Sequence, residues 1–234
     1  MRGLDVLETF RKAGKQLSLS ELSRLSNIPL STCHGVVKAL EKQGFLYFAS
    51  SREAYPTRKL WDLAAEIDSK DPIATRLAPS LSALRDDAGE TSILGIRQGN
   101  AVLYLLVFES AQTIRYTAHA GERKPLHSSA IGKVMVGAMS DEERVVWLQE
   151  QPLARVTERT ITSARRLRAD ISSAYQRGYF VTRGENVEDV MAIAAPVRLA
   201  GTTFGVAIAG PLHRMAPNES RMAAKLRHCI RTLE

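Results

Sequence analysis

Apolar and polar residues recur with a helical period from Pro29 to Lys42. Wrapped at about 100° per residue, one side of this segment is apolar and consists of Leu30, Cys33, Val36, Val37 and Leu40. The other side is small, polar and basic, without a central carboxylate, and consists of Ser31, Thr32, His34, Gly35, Lys38 and Lys42. Short side chains let a helix enter the DNA major groove, where hydroxyl and imidazole groups meet base edges and lysines meet phosphates. The pattern therefore predicts a recognition helix, and an ordinary amphipathic surface helix is the alternative.

Two shorter helices are predicted before this segment. Residues 3–13 place apolar residues near one face, and Gly14 ends that helix. Ser18 and Glu21 have the spacing of a capping box, which opens a helix that we expect to bury Leu19, Leu22 and Leu25. This helix stops before Pro29, and the short turn predicts a helix-turn-helix.

A hairpin is predicted after the recognition helix. Residues 45–48 are typical of a strand, residues 49–53 of a loop, and the chain returns from Ala54. Arg52 lies near the tip of this loop. We interpret the hairpin as the wing of a winged helix, with Arg52 placed to contact the DNA backbone.

The segment from Arg58 to Ile67 has an apolar stripe that a small winged helix can cover only in part. Such a stripe usually packs on another helix, often on a copy of itself. We predict a linker helix that contacts the partner in a homodimer. The alternative is that it packs back onto the first helix.

From Glu90 onwards the pattern changes to short strands interleaved with helices. The first three predicted strands cover residues 91–96, 101–107 and 113–118, and a basic loop covers residues 121–125. Later strands are predicted at residues 179–182, 191–197 and 203–209, with a basic helix from Ser220. This order predicts an α+β sensor-like domain.

The most distinctive stretch of the second half is PLHSSAIGK, residues 125–133. Ser128 or Ser129 is well placed to cap the helix that follows, and the free amides at a helix N-terminus favour an anion such as a carboxylate. The alternative is a plain capped helix packed on a sheet. A phosphate-binding P-loop is excluded, because His127 and Val134 stand where that motif needs glycine and a hydroxyl residue.

Composition narrows the function classes. Residues 1–60 carry a net charge of +5, from ten Lys/Arg and five Asp/Glu, out of +7 for the chain, which suggests that only this end faces a polyanion. We expect a cytoplasmic protein, because no apolar run could span a membrane or serve as a secretion signal. The histidines have no metal-site spacing and no nucleophile elbow occurs, so we expect no metal site, no cofactor and no catalytic residue.

The chain resembles the IclR family of bacterial transcriptional regulators. The resemblance rests on GLDVLETF, LSLSELSRLSNIPLSTCHGVVKALEKQGFL, PLHSSAIGK, and RTITSARRLRADISSAYQRGYFV followed by IAAPV and GVAIAGP. It implies an α+β chain with a winged helix-turn-helix DNA-binding domain (1–57), a linker helix (58–74) and a GAF-like effector-binding domain (75–234). It also implies homodimers, often paired into tetramers, that bind a double-stranded operator and respond to a small organic acid.

Carried over by position, the resemblance places the effector near the helix that follows PLHSS. The predicted effector site consists of Arg115, His127, Ser128, Ser129, Ala130, Thr182, Glu185, Ala192, Ala207 and Ala209. Relatives of this family that bind very small keto acids tend to have hydroxyl residues near 207 and 209, and alanine at both positions suggests an aromatic carboxylate. Arg115 is then a candidate carboxylate partner, with a solvated strand residue as the alternative.

Three hypotheses follow from these observations. The first is a ligand-responsive DNA-binding regulator that reads DNA with the recognition helix and Arg52. The second is an enzyme that converts the same small acid through His127 and carries an appended winged helix. The third is an adaptor whose winged helix binds protein.

Overall fold

The computed structural model describes residues 2–49 and 52–233 of the 234-residue chain. The chain divides into two compact units between Pro72 and Ile73. Outside the described residues lie Ser50 and Ser51 of the predicted wing loop, Met1 at the start of the predicted DNA-binding domain and Glu234 at the end of the predicted effector-binding domain. Of the described helices, none is both long and apolar enough to cross a membrane.

The first unit is a small helical core with a three-stranded antiparallel sheet in the order β1-β3-β2. Its elements are α1 (Arg2–Ala13), β1 (Leu17–Ser18), α2 (Leu19–Ser26), α3 (Leu30–Lys42), β2 (Leu46–Phe48), β3 (Glu53–Pro56) and α4 (Lys59–Ser69). The core is formed by Val6, Phe10, Leu17, Leu22, Ile28, Cys33, Val37, Leu46 and Ala54. These elements confirm the predicted winged helix-turn-helix and add the short strand β1, which completes the sheet beside the wing.

The second unit is a six-stranded antiparallel sheet in the order β6-β5-β4-β9-β8-β7. Its strands are β4 (Thr91–Gln98), β5 (Ala101–Phe108), β6 (Arg123–Pro125), β7 (Phe180–Arg183), β8 (Val190–Leu199) and β9 (Thr202–Pro211). Its helices are α5 (Pro72–Ala88), α6 (Ala130–Ala138), α7 (Asp141–Glu150), α8 (Ala164–Arg177), α9 (Leu212–Met215) and α10 (Glu219–Leu233), with a 3₁₀ turn at Ala216–Asn218.

The strands of this sheet bury alternate residues in two different cores, because successive side chains point to opposite faces of a strand. Ile93 packs in the core with α6, α7 and α8, whereas the next residue, Leu94, packs in the core with α5 and α10. On β9, Ala207 likewise packs in the core with α6, α7 and α8, and Val206 packs in the core with α5 and α10. The sheet is therefore covered on both faces, and its two central strands are buried at Thr91–Gly95 of β4 and Phe204–Pro211 of β9.

Two sequence predictions about this architecture were wrong. Residues 113–118 do not form a strand. The strand that follows β4 and β5 along the chain is instead Arg123–Pro125, inside the predicted basic loop. Leu25 and Leu30 are 48% and 51% exposed rather than buried.

Candidate nucleic-acid interface and effector cavity

Helix α3 presents the surface that its periodicity predicts. Cys33 and Val37 are buried in the core of the first unit. On the opposite side, Thr32 is half-buried and the following residues are exposed: Ser31, His34, Gly35, Lys38 and Lys42. All six α3 residues predicted to face DNA are therefore solvent-accessible in one continuous helix.

The turn before α3 is fixed by local hydrogen bonds. The Ser18 hydroxyl accepts the amide of Glu21 at 3.3 Å, and the Glu21 carboxylate accepts the amide of Ser18 at 2.9 Å, so the predicted capping box is formed. Asn27 ends α2 in the left-handed conformation at φ 55°, and the Ser23 hydroxyl donates to the carbonyl of Ile28 at 2.7 Å. These bonds determine the direction in which α3 leaves α2.

The wing is an antiparallel hairpin in which Tyr47 pairs with Tyr55. Arg52 is exposed and adopts φ 62°, as the predicted position near the loop tip requires. Tyr47 and Phe48 on β2 are also exposed, and sequence analysis did not single them out. Two bulky aromatic residues on a short strand are the signal that could have drawn attention to them.

The foot of the wing is joined to the end of α3. Lys59 donates to the carbonyl of Gln43 at 2.6 Å, and its ammonium lies 4.9 Å from the centre of the Phe45 ring. The Thr57 hydroxyl donates to the carbonyl of Gly44 at 2.6 Å. These contacts therefore join the end of the recognition helix to the foot of the wing.

In the second unit, a narrow cavity lies between the sheet and the start of α6, with room for only a few water molecules. Its lining consists of Ile93, Tyr104, Tyr116, Ser129, Ala130, Ile131, Thr182, Asn186, Val187, Val190, Ala192, Ala207 and Ala209. Six of the ten residues predicted for the effector site are among them: Ser129, Ala130, Thr182, Ala192, Ala207 and Ala209.

Ser129 is the N-cap of α6. Its hydroxyl accepts the amide of Gly132 at 3.1 Å and donates to the carbonyl of Pro125 at 2.7 Å. The side chain is thus used locally, and the first turn of the helix faces the cavity through Ala130 and Ile131. Thr182 is buried on the facing strand β7 and lines the cavity.

Two buried tyrosines form the polar part of the opposite wall. Burial raises the pKa of Tyr104 above its ordinary value, and the neighbouring Tyr116 adds to this shift, so the phenol stays protonated at neutral pH. Lys124, paired with Glu122 at 2.8 Å, places its ammonium 5.9 Å from the centre of the Tyr104 ring. Tyr104 was missed in the sequence. The signal was a phenol among the aliphatic residues of β5 that alternate toward this face.

Tyr116 reaches the cavity from an irregular segment rather than from the expected strand. Its carbonyl accepts the Thr91 hydroxyl at 2.6 Å. Nearby, Arg214 pairs with the buried Glu90 at 2.9 Å and donates to the carbonyl of Ile114 at 2.9 Å. These bonds hold the segment against the sheet without strand pairing.

The other four predicted effector residues do not line the cavity. Arg115 is exposed and paired with Glu109 at 3.1 Å, so its guanidinium is engaged outside the cavity. His127, Ser128 and Glu185 are buried behind the wall.

Each of these three buried residues bonds to a neighbouring segment. The Nε2 of His127 lies 2.8 Å from the carbonyl of Ala154, and burial lowers its pKa. The Ser128 hydroxyl accepts a hydrogen bond from Asn186 at 3.1 Å. The carboxylate of Glu185 pairs with Lys133 at 2.8 Å. They therefore support the lining residues rather than contact the cavity themselves.

The described residues contain no cluster of three or more His, Cys, Asp or Glu side chains that could hold a metal. Cys33 and Cys229 are both buried as free thiols. A winged helix with an exposed basic helix, joined in one chain to a sheet domain with a buried cavity, defines the class of ligand-responsive DNA-binding regulators.

Comparison with known proteins narrows this class to one family. The family model for the IclR helix-turn-helix domain matches residues 1–50, and the model for the bacterial transcriptional regulator IclR C-terminal domain matches residues 65–234. The chain belongs to the IclR family of bacterial transcriptional regulators.

Relatives and solved structures of this family match over most of the chain. The HTH-type transcriptional regulator BhcR of Paracoccus denitrificans (strain Pd 1222) is 31% identical over 228 residues, covering 95% of this chain and 80% of BhcR. The HTH-type transcriptional repressor AllR of Escherichia coli (strain K12) is 27% identical over 224 residues, covering 92% of this chain and 80% of AllR. The crystal structure of an IclR homologue from Microbacterium hydrocarbonoxydans, complexed with 4-hydroxybenzoate, has a TM-score of 0.79 at 26% identity and covers 100% of this chain and 96% of that one.

Proposed function

We propose that the protein binds an operator through the exposed face of α3 and the wing, and that a small organic acid in the cavity of the second unit changes its affinity for that operator. The observation that carries the proposal is the pairing of these two sites in one chain. An acid that binds two conformations of the regulator unequally shifts the balance between them, and with it the DNA affinity.

The DNA contacts follow from the chemistry of the exposed groups. Ser31, Thr32 and His34 are placed to meet base edges, and Gly35 lets the helix backbone come close. Lys38, Lys42 and Arg52 carry the positive charge for phosphates. The exposed Tyr47 and Phe48 extend this surface along the wing.

For the effector we propose an acid whose carboxylate meets the first turn of α6 and the Thr182 hydroxyl. The positive end of the helix and a buried hydroxyl suit one anionic group. The remaining lining, Ile93, Val190, Ala192, Ala207 and Ala209, suits an apolar body. A relative crystallised with 4-hydroxybenzoate supports an aromatic acid.

An aromatic acid is larger than the space now present. Its binding therefore requires the wall at Asn186 to Val190, or the segment at Tyr116, to move outward, a change that some ligand sites undergo on binding. This movement is our candidate for the link between effector occupancy and the conformation of the regulator.

The assembly that we propose is a homodimer, which can pair again into a tetramer. Helix α4 has no buried residue, and Trp61, Leu63 and Ile67 are exposed along it. An exposed apolar stripe of this size suits contact with a second copy of the same helix.

The test combines DNA binding with ligand screening. Purified protein should retard duplex from its own promoter region in a gel shift, with an affinity that falls steeply as salt rises. Thermal shift with acetate, pyruvate, benzoate and 4-hydroxybenzoate should single out one class of acid, and that acid should change the gel-shift midpoint. No retardation at low salt, or retardation that ignores every acid that binds, would contradict the proposal.

The enzyme alternative has less support. His127, its candidate catalytic group, is bonded to the Ala154 carbonyl and does not line the cavity. The same acids can be incubated with the protein and followed for turnover. Conversion that His127→Ala abolishes would favour the enzyme.

A further inference from the structure

Lys133 is a fully buried lysine in the middle of α6, with 0% of its surface exposed. Lysine is almost never fully buried unless its ammonium is paired, since a lone charge in the interior is strongly unfavourable. Lys133 does not line the cavity. The proposed effector contacts therefore do not explain it.

The ammonium of Lys133 bonds to three different elements. It lies 2.8 Å from Oδ2 of Asp170 on α8, 2.8 Å from the carboxylate of Glu185, and 3.3 Å from the carbonyl of Val181 on β7. An ammonium has three donors, and three groups receive them. Lys133 thus joins α6 to α8, to β7 and to the segment that follows β7.

Glu185 begins the part of that segment that forms the cavity wall. Asn186 and Val187 directly after it line the cavity. The carbonyl of Glu185 accepts the Thr160 hydroxyl at 2.7 Å, while its side chain is held by Lys133. Both ends of this residue are therefore fixed from outside the cavity, and the position of the wall depends on them.

The arrangement is unfavourable without the lysine. Burial raises the pKa of Glu185, and Lys133 opposes that rise by stabilising the carboxylate. Removing one partner of a buried pair leaves the other charge without compensation, whereas removing both is often tolerated. A variant that removes only one partner and a variant that removes both therefore separate the effect of the pair on stability from its effect on the geometry of the cavity wall.

We propose that Lys133 is a positioning residue for effector binding, which sets the cavity wall at Asn186 and Val187 by holding Glu185. This inference rests on the proposed function of the cavity. It assigns to the lysine no contact with the effector.

The variants are Lys133→Met, Glu185→Gln and the double variant, with Lys225→Met as the matched control. Lys225 is also a largely buried, ion-paired lysine of the second unit, 2.8 Å from Asp87, but it does not line the cavity. Each variant is titrated calorimetrically with benzoate and 4-hydroxybenzoate, and its melting temperature is measured.

We expect Lys133→Met to lower both the melting temperature and the acid affinity. The double variant should recover part of the melting temperature, because Glu185 is no longer a lone buried charge and the partly exposed Asp170 still has Arg177 at 4.0 Å, yet it should bind at least about tenfold more weakly than wild type. Lys225→Met should bind as wild type does. A double variant with wild-type affinity would overturn the inference, since the pair would then serve stability alone.

Hydrogen exchange gives a readout that needs no ligand. The amide of Gly184 bonds to the carbonyl of Val190, and the amide of Val190 to the carbonyl of Val187. Both should exchange at least about tenfold faster in the double variant, while the Gly89 amide, which bonds to the carbonyl of Arg85 at the end of α5, should not change. If wild type binds neither acid, the proposed effector class fails, and unchanged exchange at Gly184 and Val190 would separately overturn the role of Lys133.

Discussion

At the scale of single residues, the cavity wall combines aliphatic side chains with the two phenols of Tyr104 and Tyr116. The pKa of Tyr104 is raised by burial, so its hydroxyl remains a donor at neutral pH. A buried donor favours a ligand that offers it an acceptor and disfavours the analogue that leaves it unpaired. Tyr104 and Tyr116 are therefore placed to discriminate between effectors by the group at the end opposite the carboxylate.

Tyr104→Phe should weaken binding of 4-hydroxybenzoate by about tenfold and leave benzoate nearly unchanged, because a single hydrogen bond is removed from one ligand only. Calorimetric titration of both acids measures the difference. Phe108 marks the next aromatic position on β5, packs against the opposite core and can be changed to leucine as the control. Equal losses for both acids would show that the Tyr104 hydroxyl does not bond to the 4-hydroxyl group of the ligand.

Lys38→Ala tests the DNA face at the same scale. The exposed ammonium of Lys38 contributes one phosphate contact in our proposal. Binding should weaken on every duplex, and the slope of log affinity against log salt should fall by about one. Lys12→Ala, an exposed lysine on α1, should leave the slope as in wild type.

At the scale of elements, the capping box gives α2 a defined start and a defined pH response. The amide and hydroxyl of Ser18, followed by Lys15, hold the pKa of Glu21 at about 2, well below its ordinary value of 4.5. A depressed carboxyl pKa stabilises the fold fully above the ordinary value, and this stabilisation is lost as pH falls toward about 2.

Glu21→Gln should therefore lower the urea midpoint of the first unit at about pH 6, and the gap from wild type should close as pH falls through about 3. Parallel denaturation series at each pH measure the gap. Glu41→Gln, an exposed glutamate near the end of α3, serves as the control. A gap that stays constant with pH would show that the ionised carboxylate is not what stabilises the helix.

Sequence analysis predicted elements best where local chemistry decides them. The capping box, the Gly14 stop after α1 and the hairpin of β4 and β5 are local signals, and all three are confirmed. The strand expected at 113–118 failed for a long-range reason. β6 pairs with β5 only at Ala101–Leu103, and residues 113–118 are held beside the sheet by the long-range bonds of Thr91 and Arg214 instead of by a strand ladder.

Dependence on long-range contacts also determined which residues of the candidate site could be predicted. Ser129 and the alanines of β8 and β9 could be placed because their elements were predicted correctly. Arg115 could not, since its role depended on the strand that does not form. The burial and pairing of Lys133 could not be predicted, because a lysine in a helix is ordinarily exposed and only the folded chain brings Asp170 and Glu185 to it.

At the scale of the whole molecule, the proposed function needs two copies. The apolar face of α4 is exposed in a single chain, with Trp61 at 66%. A second copy would cover it and place two α3 helices on one duplex, the arrangement that palindromic operators require.

Trp61→Glu should shift the protein toward monomer, because a carboxylate would be buried in the helix contact. Sedimentation velocity measures the shift, and operator affinity should fall with it. The circular dichroism spectrum should remain that of wild type, since α4 buries no residue in the chain itself. A variant that stays dimeric would move the subunit contact to another surface.

The close seating of α6 on the sheet determines where new ligand preferences can arise. A methyl group on Gly132 would come within 2.3 Å of the Leu126 carbonyl, and one on Gly205 within 2.6 Å of the Ile131 side chain. A larger residue at Gly132 or Gly205 would therefore displace α6 from the sheet before it changed the shape of the cavity. We therefore expect changes of ligand preference to come from substitutions at Tyr104, Tyr116, Asn186 and Val187, whose side chains line the cavity away from these two glycines.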